Sequence, residues 1–452
     1  MKVFNPYTKK EIGEIHLSDK NELESMLKNG EKAERSMCEL SSHERSFVLN
    51  QIVECIKKQY DTFITTIIEE SAKPFIYAKA EVDRAIQTFT IAAEEANRLP
   101  HELMSLDQTK KGEGLKGEIH YFPKGLIFGI SPFNFPLNLA AHKIAPALAS
   151  GCPIILKPSS KTPLTMELLA SVINKTNLPE GAFQLIHCSR DLGDFIIEHA
   201  AVKVVSFTGS PNVGWEIKKK AYKKKVVLEL GGNAAATVCE DANIQQSVDE
   251  LVVGAFAYSG QVCIHTQRIY VHAAVYEQFI QLFCKKAEQL TLSDPRNNDC
   301  NFSVMIDESN AERVKSWIDE AIQSGAKCLI GGNQEGNFVA PTVLTNVPKD
   351  LKVRNEEVFG PVVIIESFED LNEAISTVND SRWGLQAAIF TDSISKREEA
   401  FRKLNVGGLI HNRSTTFRVD NMPYGGIKDS GYGREGVSYA MKDYLEPKLL
   451  VR

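Results

Sequence analysis

One cysteine of this sequence stands in a segment that could support covalent chemistry. Cys263 lies in the run SGQVCIHTQR, where the small residues Ser259 and Gly260 leave space beside the thiol. A deprotonated cysteine is a strong nucleophile towards an electrophilic carbon. A single cysteine among nine is more often a small hydrophobic core residue, so Cys263 alone identifies no reaction.

Two polar side chains could serve such a nucleophile. Glu229, in LELGGN, ends a predicted buried strand and precedes two glycines, which is a costly place for a carboxylate without a function. A buried glutamate with a raised pKa can act as a base near neutral pH. Asn134, in SPFNFPLN, could donate its amide N–H to a developing oxyanion, although a turn asparagine that satisfies nearby backbone groups is the plainer interpretation.

Alternating strands and helices must position these side chains. After a helical layer at 19–98, the apolar pattern predicts strands at 126–130, 153–156, 183–186, 203–207 and 226–230, with helices at 137–149, 163–175, 191–199 and 212–221 between them. Such alternation implies a parallel, doubly wound sheet with a nucleotide site at the strand ends. Asn134 follows the first of these strands and Glu229 lies in the last, so both fall at that edge.

A second alternating series indicates a second α/β domain. Its strands are predicted near 267–272, 327–330, 362–366, 387–390 and 407–411, and a short apolar tail of strand type ends the chain at 444–452. A chain of 452 residues is also longer than the roughly 250 to 300 residues at which single cores stop growing. Two large domains are therefore expected.

The composition excludes several classes of protein. Hydrophobic residues make up 43%, charged residues 24%, and the net charge is -6 with Lys and Arg spread along the chain, so no nucleic-acid partner is expected. No apolar run approaches the roughly 18 residues of a membrane span. Nine cysteines without CxxC or His-paired spacing predict neither disulfides nor a metal site, and a reducing, cytoplasmic setting is expected. The lysine-rich run 218–225 is interpreted as a solvated helix end.

Seven segments resemble, in order and spacing, motifs of the aldehyde dehydrogenase superfamily. They are SPFNFPLN (131–138), ILKPSSKTP (155–163), SFTGSPNVG (206–214), LELGGN (228–233), GQVC (260–263), EEVFGP (356–361) and PYGGIKDSGYGREG (423–436). The resemblance covers nearly the whole chain. It implies an α/β fold with two doubly wound parallel-sheet domains, one Rossmann-like and cofactor-binding and one catalytic, plus a small oligomerisation hairpin and a C-terminal strand. The implied boundaries are 1–111 and 125–229 for the NAD(P)-binding domain, 230–425 for the catalytic domain, and 112–124 and 437–452 for the oligomerisation segments.

The resemblance implies a role for each candidate catalytic residue. Cys263 attacks the aldehyde carbon, and the oxyanion is held by the Asn134 side chain and the Cys263 backbone N–H. Hydride transfer to a nicotinamide then leaves a thioester. Glu229 activates the water that hydrolyses it, and no metal is needed at any step.

A nicotinamide cofactor is implied although no G-x-G-x-x-G follows the first strands. By the resemblance, Gly209 and Ser210 lie at a helix N-terminus that faces the pyrophosphate, where backbone amides favour anions. Lys157 reaches the adenosine ribose, and Glu357 and Phe359 hold the nicotinamide ribose and ring. Further predicted cofactor contacts are Ile130, Pro132, Phe133, Val213 and Leu230.

Ser160 bears on the choice between NAD and NADP. Many NAD-preferring relatives carry at this position a glutamate, which binds both ribose hydroxyls and repels a 2′-phosphate. That repulsion is absent here, so NADP is permitted without being required. Both cofactors remain open.

Four residues are predicted to surround the substrate. A cluster of His142, His265, Arg413 and Arg418 would favour a small aldehyde with an anionic or hydroxylated tail. The alternative is two structural histidines and two arginines that brace a loop. The segments LNLAAHKIAPALASG and RVDNMPYGGIKDSG resemble the branch that includes lactaldehyde, non-phosphorylating glyceraldehyde-3-phosphate, phosphonoacetaldehyde and sulfolactaldehyde dehydrogenases. His142, where succinate-semialdehyde dehydrogenases tend to carry Arg, disfavours that substrate.

Two other functions remain open on the sequence. A CoA-acylating semialdehyde dehydrogenase would form the same thioester and pass it to CoA, and a non-catalytic binding protein could keep the fold without the chemistry. The hairpin and the apolar tail resemble segments that pair between subunits, so a homodimer or homotetramer is expected.

Overall fold

A two-stranded hairpin and four helices open the chain. Their bounds are β1 Lys2–Phe4, β2 Glu11–Glu14, α1 Lys20–Glu39, α2 Ser42–Lys58, α3 Tyr60–Ser71 and α4 Phe75–Glu95. Reciprocal side-chain to backbone hydrogen bonds between Asp19 and Glu22, and between Ser41 and Glu44, start α1 and α2 by satisfying free N–H groups. The buried faces of α2, α3 and α4 form the predicted helical layer.

A six-stranded sheet forms the centre of the first α/β unit. After β3 Glu102–Ser105 and β4 Lys116–Pro123 come β5 Leu126–Ile130, α5 Asn138–Ser150, β6 Ile154–Lys157, α6 Leu164–Ile173, β7 Phe183–Leu185, α7 Arg190–Glu198, β8 Val202–Thr208, α8 Pro211–Ala221 and β9 Lys225–Glu229. The spatial order is β9–β8–β5–β6–β7, all parallel, with β21 (Gly431–Tyr432) antiparallel on the free edge of β9. The sheet is doubly wound as predicted.

A seven-stranded sheet forms the second unit. Its elements are β10 Ala234–Val238, α9 Ile244–Phe256, β11 Thr266–His272, α10 Tyr276–Ala287, α11 Glu308–Gln323, β12 Lys327–Ile330, β13 Gln334–Glu335, β14 Phe338–Val339, β15 Thr342–Thr345, α12 Lys352–Asn355, β16 Val362–Phe368, α13 Leu371–Asn379, β17 Trp383–Gly384, β18 Gln386–Phe390, α14 Ile394–Lys403 and β19 Gly408–His411. The order is β12–β15–β16–β11–β10–β18–β19, and only β12 runs antiparallel. The fold class of two α/β units is confirmed, with one antiparallel edge strand on each sheet.

The last part of the chain joins these units and adds a small sheet. It contains β20 Ile427–Lys428, β21, α15 Val437–Tyr444 and β22 Leu445–Val451. Strand β20 pairs with β17 of the second unit, whereas β21 pairs with β9 of the first. Strands β3, β4 and β22 form an antiparallel sheet of their own.

The structure differs from the expected segment boundaries in two places. The three-stranded sheet already begins at Glu102, before the expected hairpin at 112–124. Helix α15 packs its buried residues Val437, Met441 and Tyr444 into the core of the first unit, so only β22 of the segment 437–452 belongs to the small sheet. No helix is both long and apolar enough to cross a membrane.

A buried ion pair fixes the loop that precedes α5. Lys73 and Glu81 are fully buried and in contact, and Lys73 Nζ also donates to the backbone oxygen of Asn134 at 2.6 Å. Glu81 accepts hydrogen bonds from the backbone N–H groups of Leu137 at 2.9 Å and Asn138 at 3.2 Å. The helical layer therefore determines where Asn134 lies.

Replacing Lys73 by Met tests how much stability this pair controls. Removing one partner leaves the Glu81 charge buried and unpaired, so the variant should lose about 3–5 kcal/mol of unfolding free energy. Urea unfolding followed by circular dichroism measures the loss. Lys57→Met, which breaks the exposed pair with Glu54, is the control and should cost no more than about 1 kcal/mol. Equal losses in the two variants would contradict the interpretation.

Candidate active site

A cavity of about 680 Å³ lies between the two α/β units. The three candidate catalytic residues, Asn134, Glu229 and Cys263, all line it. Its wall also contains seven of the predicted cofactor contacts, namely Pro132, Phe133, Gly209, Ser210, Leu230, Glu357 and Phe359. The first unit contributes to it from the carboxyl ends of β5, β8 and β9, the edge at which parallel sheets bind ligands.

Burial keeps Cys263 as a protonated thiol. Its Sγ lies 3.0 Å from the Tyr424 hydroxyl, and burial raises the pKa of the thiol to about 12. The residues that precede it, Tyr258, Ser259 and Gly260, have left-handed φ angles of 49°, 53° and 69°. This backbone conformation is strained for Tyr258 and Ser259, which are not glycine. The thiol therefore needs a base before it can attack a carbonyl.

Asn134 places an amide donor against the loop that carries the nucleophile. Its Nδ2 donates to the backbone oxygen of Gln261 at 3.0 Å, two residues before Cys263. An amide nitrogen has two N–H groups, so a second donor is available on the cavity side. This arrangement can donate a hydrogen bond to an oxyanion formed at the carbon attacked by Cys263.

Glu229 is buried at the end of β9 without a hydrogen-bond partner. Neither carboxylate oxygen is paired, and a Cβ at Gly425 would lie 2.7 Å from Oε1, so only glycine fits there. Burial, and then the nearby charge of Glu435, raise the pKa of Glu229 well above its ordinary value. Glu229 is therefore a neutral acid at low pH and becomes a base as the pH rises.

A buried charge cluster of Lys143, Arg418 and Glu435 lies beside Glu229. Lys143 Nζ is 3.2 Å from Glu435 Oε1 and 2.7 Å from the hydroxyl of Thr208, which pairs with Glu229 across β8 and β9. Arg418 donates to Glu435 Oε2 at 3.0 Å. Although burial alone would raise it, the two cations hold the pKa of Glu435 well below its ordinary value. With Glu229 neutral, two cations face one carboxylate and the cluster is net positive.

The start of α8 can receive a pyrophosphate. Gly209, Ser210, Pro211 and Asn212 line the cavity, and the helix has no side-chain cap on its N-terminal amides. Free amides at a helix N-terminus bind anionic phosphate. This open helix end fits the diphosphate of a dinucleotide.

Glu357 and Phe359 line the same cavity on the side of the second unit. The Glu357 carboxylate accepts a hydrogen bond from the Gly232 N–H at 2.9 Å, and burial raises the pKa of Glu357 to about 7. A Cβ at Gly231 would lie 2.4 Å from this carboxylate, so glycine is required for it to stay there. Phe359 has φ 47° and meets the Phe133 ring edge to face at 5.9 Å. A carboxylate and an aromatic edge suit ribose hydroxyls and a flat ring.

Four predicted cofactor contacts lie outside the cavity. Ile130 and Lys157 are paired neighbours at the ends of β5 and β6, and Val213 packs on the core beneath α8. Ser160 lines a separate cavity of about 530 Å³ together with Lys161. Their roles towards an adenosine stay predictions.

The four predicted substrate residues do not converge. His142 is buried, with Nε2 2.8 Å from the Asp420 carboxylate, and His265 is buried with its pKa lowered by burial to about 4. Arg413 is exposed and pairs with a surface carboxylate at 2.9 Å. Only Arg418 lies near the nucleophile, stacked over the Tyr424 ring. The sequence pattern could not show which face of each element these side chains occupy.

Sequence reasoning missed three residues of the site. Tyr424 and Glu435 stand within the quoted motif PYGGIKDSGYGREG, and Lys143 follows His142 directly. The signal was present, since buried Lys, Glu and Tyr are rare without partners. Only the three-dimensional contacts show that Lys143 pairs with Glu435, that Glu435 also pairs with Arg418, and that Tyr424 contacts Cys263.

The chain belongs to the aldehyde dehydrogenase family, whose model matches residues 1–450. It is an oxidoreductase that acts on aldehyde groups, as the sequence predicts.

Several of its relatives fall in the predicted branch. The chain is 38% identical over 452 residues to 3-sulfolactaldehyde dehydrogenase of Priestia aryabhattai, covering 100% of this chain and 94% of that protein. It is 41% identical, with a TM-score of 0.99, to aldehyde dehydrogenase 21 of Physcomitrella patens in complex with the reaction product succinate, covering 100% and 94% of the two chains. It is 36% identical, with a TM-score of 0.96, to glyceraldehyde-3-phosphate dehydrogenase GapN of Methanocaldococcus jannaschii complexed with NADP, covering 100% and 98%. Solved neighbours hold NADP or NAD+, and the predicted cofactor, NAD or NADP, is confirmed at that level.

The unpaired Glu229 should make stability depend on pH. Because its pKa is raised in the folded state, the folded protein holds more protons than the unfolded chain above about pH 4.5, and stability falls as the pH rises. Glu229→Gln removes this titration, so the variant should gain at least about 1.4 kcal/mol relative to the wild type between pH 5 and pH 8. Chemical denaturation at both pH values measures the difference. If the difference in unfolding free energy between variant and wild type were the same at pH 5 and at pH 8, the raised pKa of Glu229 would be contradicted.

Proposed function

We propose that this enzyme oxidises a small anionic or hydroxylated aldehyde to its carboxylic acid through a thioester on Cys263. Glu229 is the base that hydrolyses the thioester, and NAD or NADP is the hydride acceptor. The observation that carries the proposal is that Cys263, Glu229 and Asn134 line one cavity with an uncapped helix N-terminus.

The first step is attack by Cys263 Sγ on the aldehyde carbon. The thiol proton passes to Glu229, the C–S bond forms, and the carbonyl π electrons move to oxygen. The Asn134 side chain and the Cys263 backbone N–H donate to that oxyanion. Mutating one such donor in other enzymes costs about 10²–10³-fold in rate, which sets the scale of the Asn134 contribution.

Residues of the cavity would hold the cofactor beside the nucleophile. When bound, the nicotinamide would supply hydride acceptance, which removes two electrons from the reacting carbon and leaves a thioester. Glu357 would bind the adjoining ribose, and Phe359 would pack against the ring. The amides at Ser210 and beyond would bind the diphosphate.

Deacylation depends on Glu229 in its anionic form. The proton that Glu229 accepted from the thiol first passes to solvent. Glu229 then takes a proton from water, the hydroxide oxygen bonds to the thioester carbon, and the C–S bond breaks, its electron pair leaving Cys263 as a thiolate. Lys143 and Arg418 lower the pKa of Glu229 through their charge, opposing burial and Glu435. They thereby favour the anionic form in which Glu229 acts as a base.

Glu229→Gln separates the two halves of the reaction. At high pH, where an external base can deprotonate the Cys263 thiol, the variant should still release a burst of NAD(P)H. Its steady-state turnover should fall about 10²–10⁴-fold. Stopped-flow absorbance at 340 nm, at an enzyme concentration high enough to resolve the burst, measures both the burst amplitude and the steady-state rate. Unchanged turnover would contradict the hydrolytic role. Full turnover restored by CoA, with acyl-CoA as product, would favour the CoA-acylating alternative instead.

The charge cluster supports an anionic substrate. Lys143, Arg418 and Glu435 carry net positive charge, and Arg418, which stacks over the Tyr424 ring beside the nucleophile, has one buried N–H without a partner. The names of the similar proteins, 3-sulfolactaldehyde and glyceraldehyde-3-phosphate dehydrogenases, also describe small anionic hydroxyaldehydes. His142 lies behind Asp420 and does not disfavour succinate semialdehyde, and a similar structure holds succinate, so that compound belongs in any screen.

A steady-state screen with each cofactor identifies the substrate class. The value of kcat/KM should be at least about tenfold higher for anionic or hydroxylated aldehydes than for neutral aliphatic aldehydes of the same size. Separate NAD and NADP series give the cofactor preference that Ser160 leaves open. Equal kcat/KM for charged and neutral aldehydes would overturn the substrate class while leaving the reaction type intact.

The small sheet supports assembly of the enzyme as a homodimer or homotetramer. Both outer strands, β3 and β22, have a free edge, and Leu103, Leu449, Leu450 and Val451 are exposed on them. Exposed apolar strand edges are normally covered by another chain. Sedimentation velocity would give the number of subunits.

A further inference from the structure

The Tyr424 hydroxyl occupies an unusual place in this site. It is buried, and its one hydrogen-bond partner is the sulfur of the nucleophile, 3.0 Å away. The Arg418 guanidinium lies 3.7 Å above one face of the ring, and the backbone of Tyr424 exchanges hydrogen bonds of 3.0 and 2.7 Å with Glu435. These contacts hold the hydroxyl beside Cys263.

The proton of this hydroxyl remains in place through the reaction. Burial, and then the charge of a Cys263 thiolate, raise the pKa of Tyr424 well above its ordinary value. A neutral tyrosine hydroxyl is a donor as well as an acceptor. It can donate to the Cys263 thiolate before attack.

Formation of the C–S bond removes the partner of that donor. A thiolate is a good acceptor, whereas a sulfur bonded to two carbons is a weak one, as in a thioether. The Tyr424 O–H is then buried without a partner at the thiohemiacetal and thioester stages, which is unfavourable. A substrate that brings its own acceptor to this position relieves the penalty.

An oxygen on the second carbon of the substrate meets this requirement. Once Cys263 Sγ is bonded to the first carbon, an oxygen on the next carbon is three bonds from sulfur. The Tyr424 hydroxyl lies 3.0 Å from Sγ, so a rotation about the bond between the first and second carbons can bring that oxygen within hydrogen-bond range of it. An oxygen further along the chain would have to fold back to reach Tyr424.

We propose that Tyr424 recognises the 2-hydroxyl of the substrate and makes the enzyme selective for 2-hydroxyaldehydes. The inference rests on the proposed thioester reaction at Cys263. It specifies the position of the substrate hydroxyl, which the proposed function does not give. Sites built to bond a substrate hydroxyl reject the analogue that lacks it, because their own polar group is left unpaired.

The test compares lactaldehyde with propionaldehyde, which lacks only the 2-hydroxyl, in wild type and in Tyr424→Phe. The wild type should prefer lactaldehyde in kcat/KM, and Tyr424→Phe, which keeps the ring and its packing, should reduce that preference about ten- to hundredfold. The hydrogen bond to the thiolate is lost with either aldehyde, so kcat/KM should fall on both, and lactaldehyde should show the additional ten- to hundredfold fall. Tyr276→Phe, which loses a hydrogen bond to Thr345 in the second unit, is the matched control and should leave the preference unchanged.

Two results would overturn the inference. An equal fall in kcat/KM on both aldehydes would show that Tyr424 only positions the thiol, and a wild type without preference for lactaldehyde would show that no 2-hydroxyl is recognised. Failure of the proposed function is a separate result, since a wild type that oxidises neither these nor charged aldehydes with NAD or NADP would contradict the thioester reaction itself.

Discussion

The excess of positive charge in the buried cluster of Lys143, Arg418 and Glu435 controls the chemistry of this cavity. A carboxylate such as Glu229, buried and unpaired, would by burial alone remain protonated and inactive as a base. The two cations oppose that tendency without bonding to Glu229, so the group can change protonation state without breaking an ion pair. Glu435 in turn prevents two buried cations from repelling each other. Removing any one of the three would alter the charge balance of the other two and of Glu229.

The backbone around the nucleophile is fixed by a different set of forces. The strained loop from Tyr258 to Gly260 persists because its surroundings over-determine it, as the close approach of Gly260 to the backbone of Gly360 illustrates. On the other wall, the buried Lys73–Glu81 pair supports the loop of Asn134. Two rigid walls therefore face each other, and the reacting groups are positioned before any substrate arrives.

Much of this arrangement could be predicted from the sequence. The strands and helices of the first unit follow the predicted ranges closely, because its strands are continuous apolar runs between recognisable helices. Strands β10 and β15 were missed, since AAATV and TVLT are too short and weakly patterned to stand out. Asn134, Glu229 and Cys263 were found from motifs, whereas Tyr424 was not.

The failures share a physical cause. Whether a polar residue faces a cavity, a partner or solvent depends on which side of its element is buried, and one residue in a motif does not reveal this. His142 and Arg413 have suitable chemistry but are engaged with Asp420 and Glu250. The short strands β20 and β21 could not be anticipated either, because they are two residues each and pair with the distant strands β17 and β9.

Those two short strands have a mechanical consequence. The segment from Ile427 to Tyr432 is hydrogen-bonded at its beginning to β17 of the second unit and at its end to the first sheet, and Tyr424 stands just before it. The segment links the two units across the cleft, since they cannot separate or rotate without breaking one of these pairings. These six residues therefore help to set the distance between Glu229 on one unit and Cys263 on the other. An insertion in this segment would lower activity by changing that distance, while each unit stayed folded.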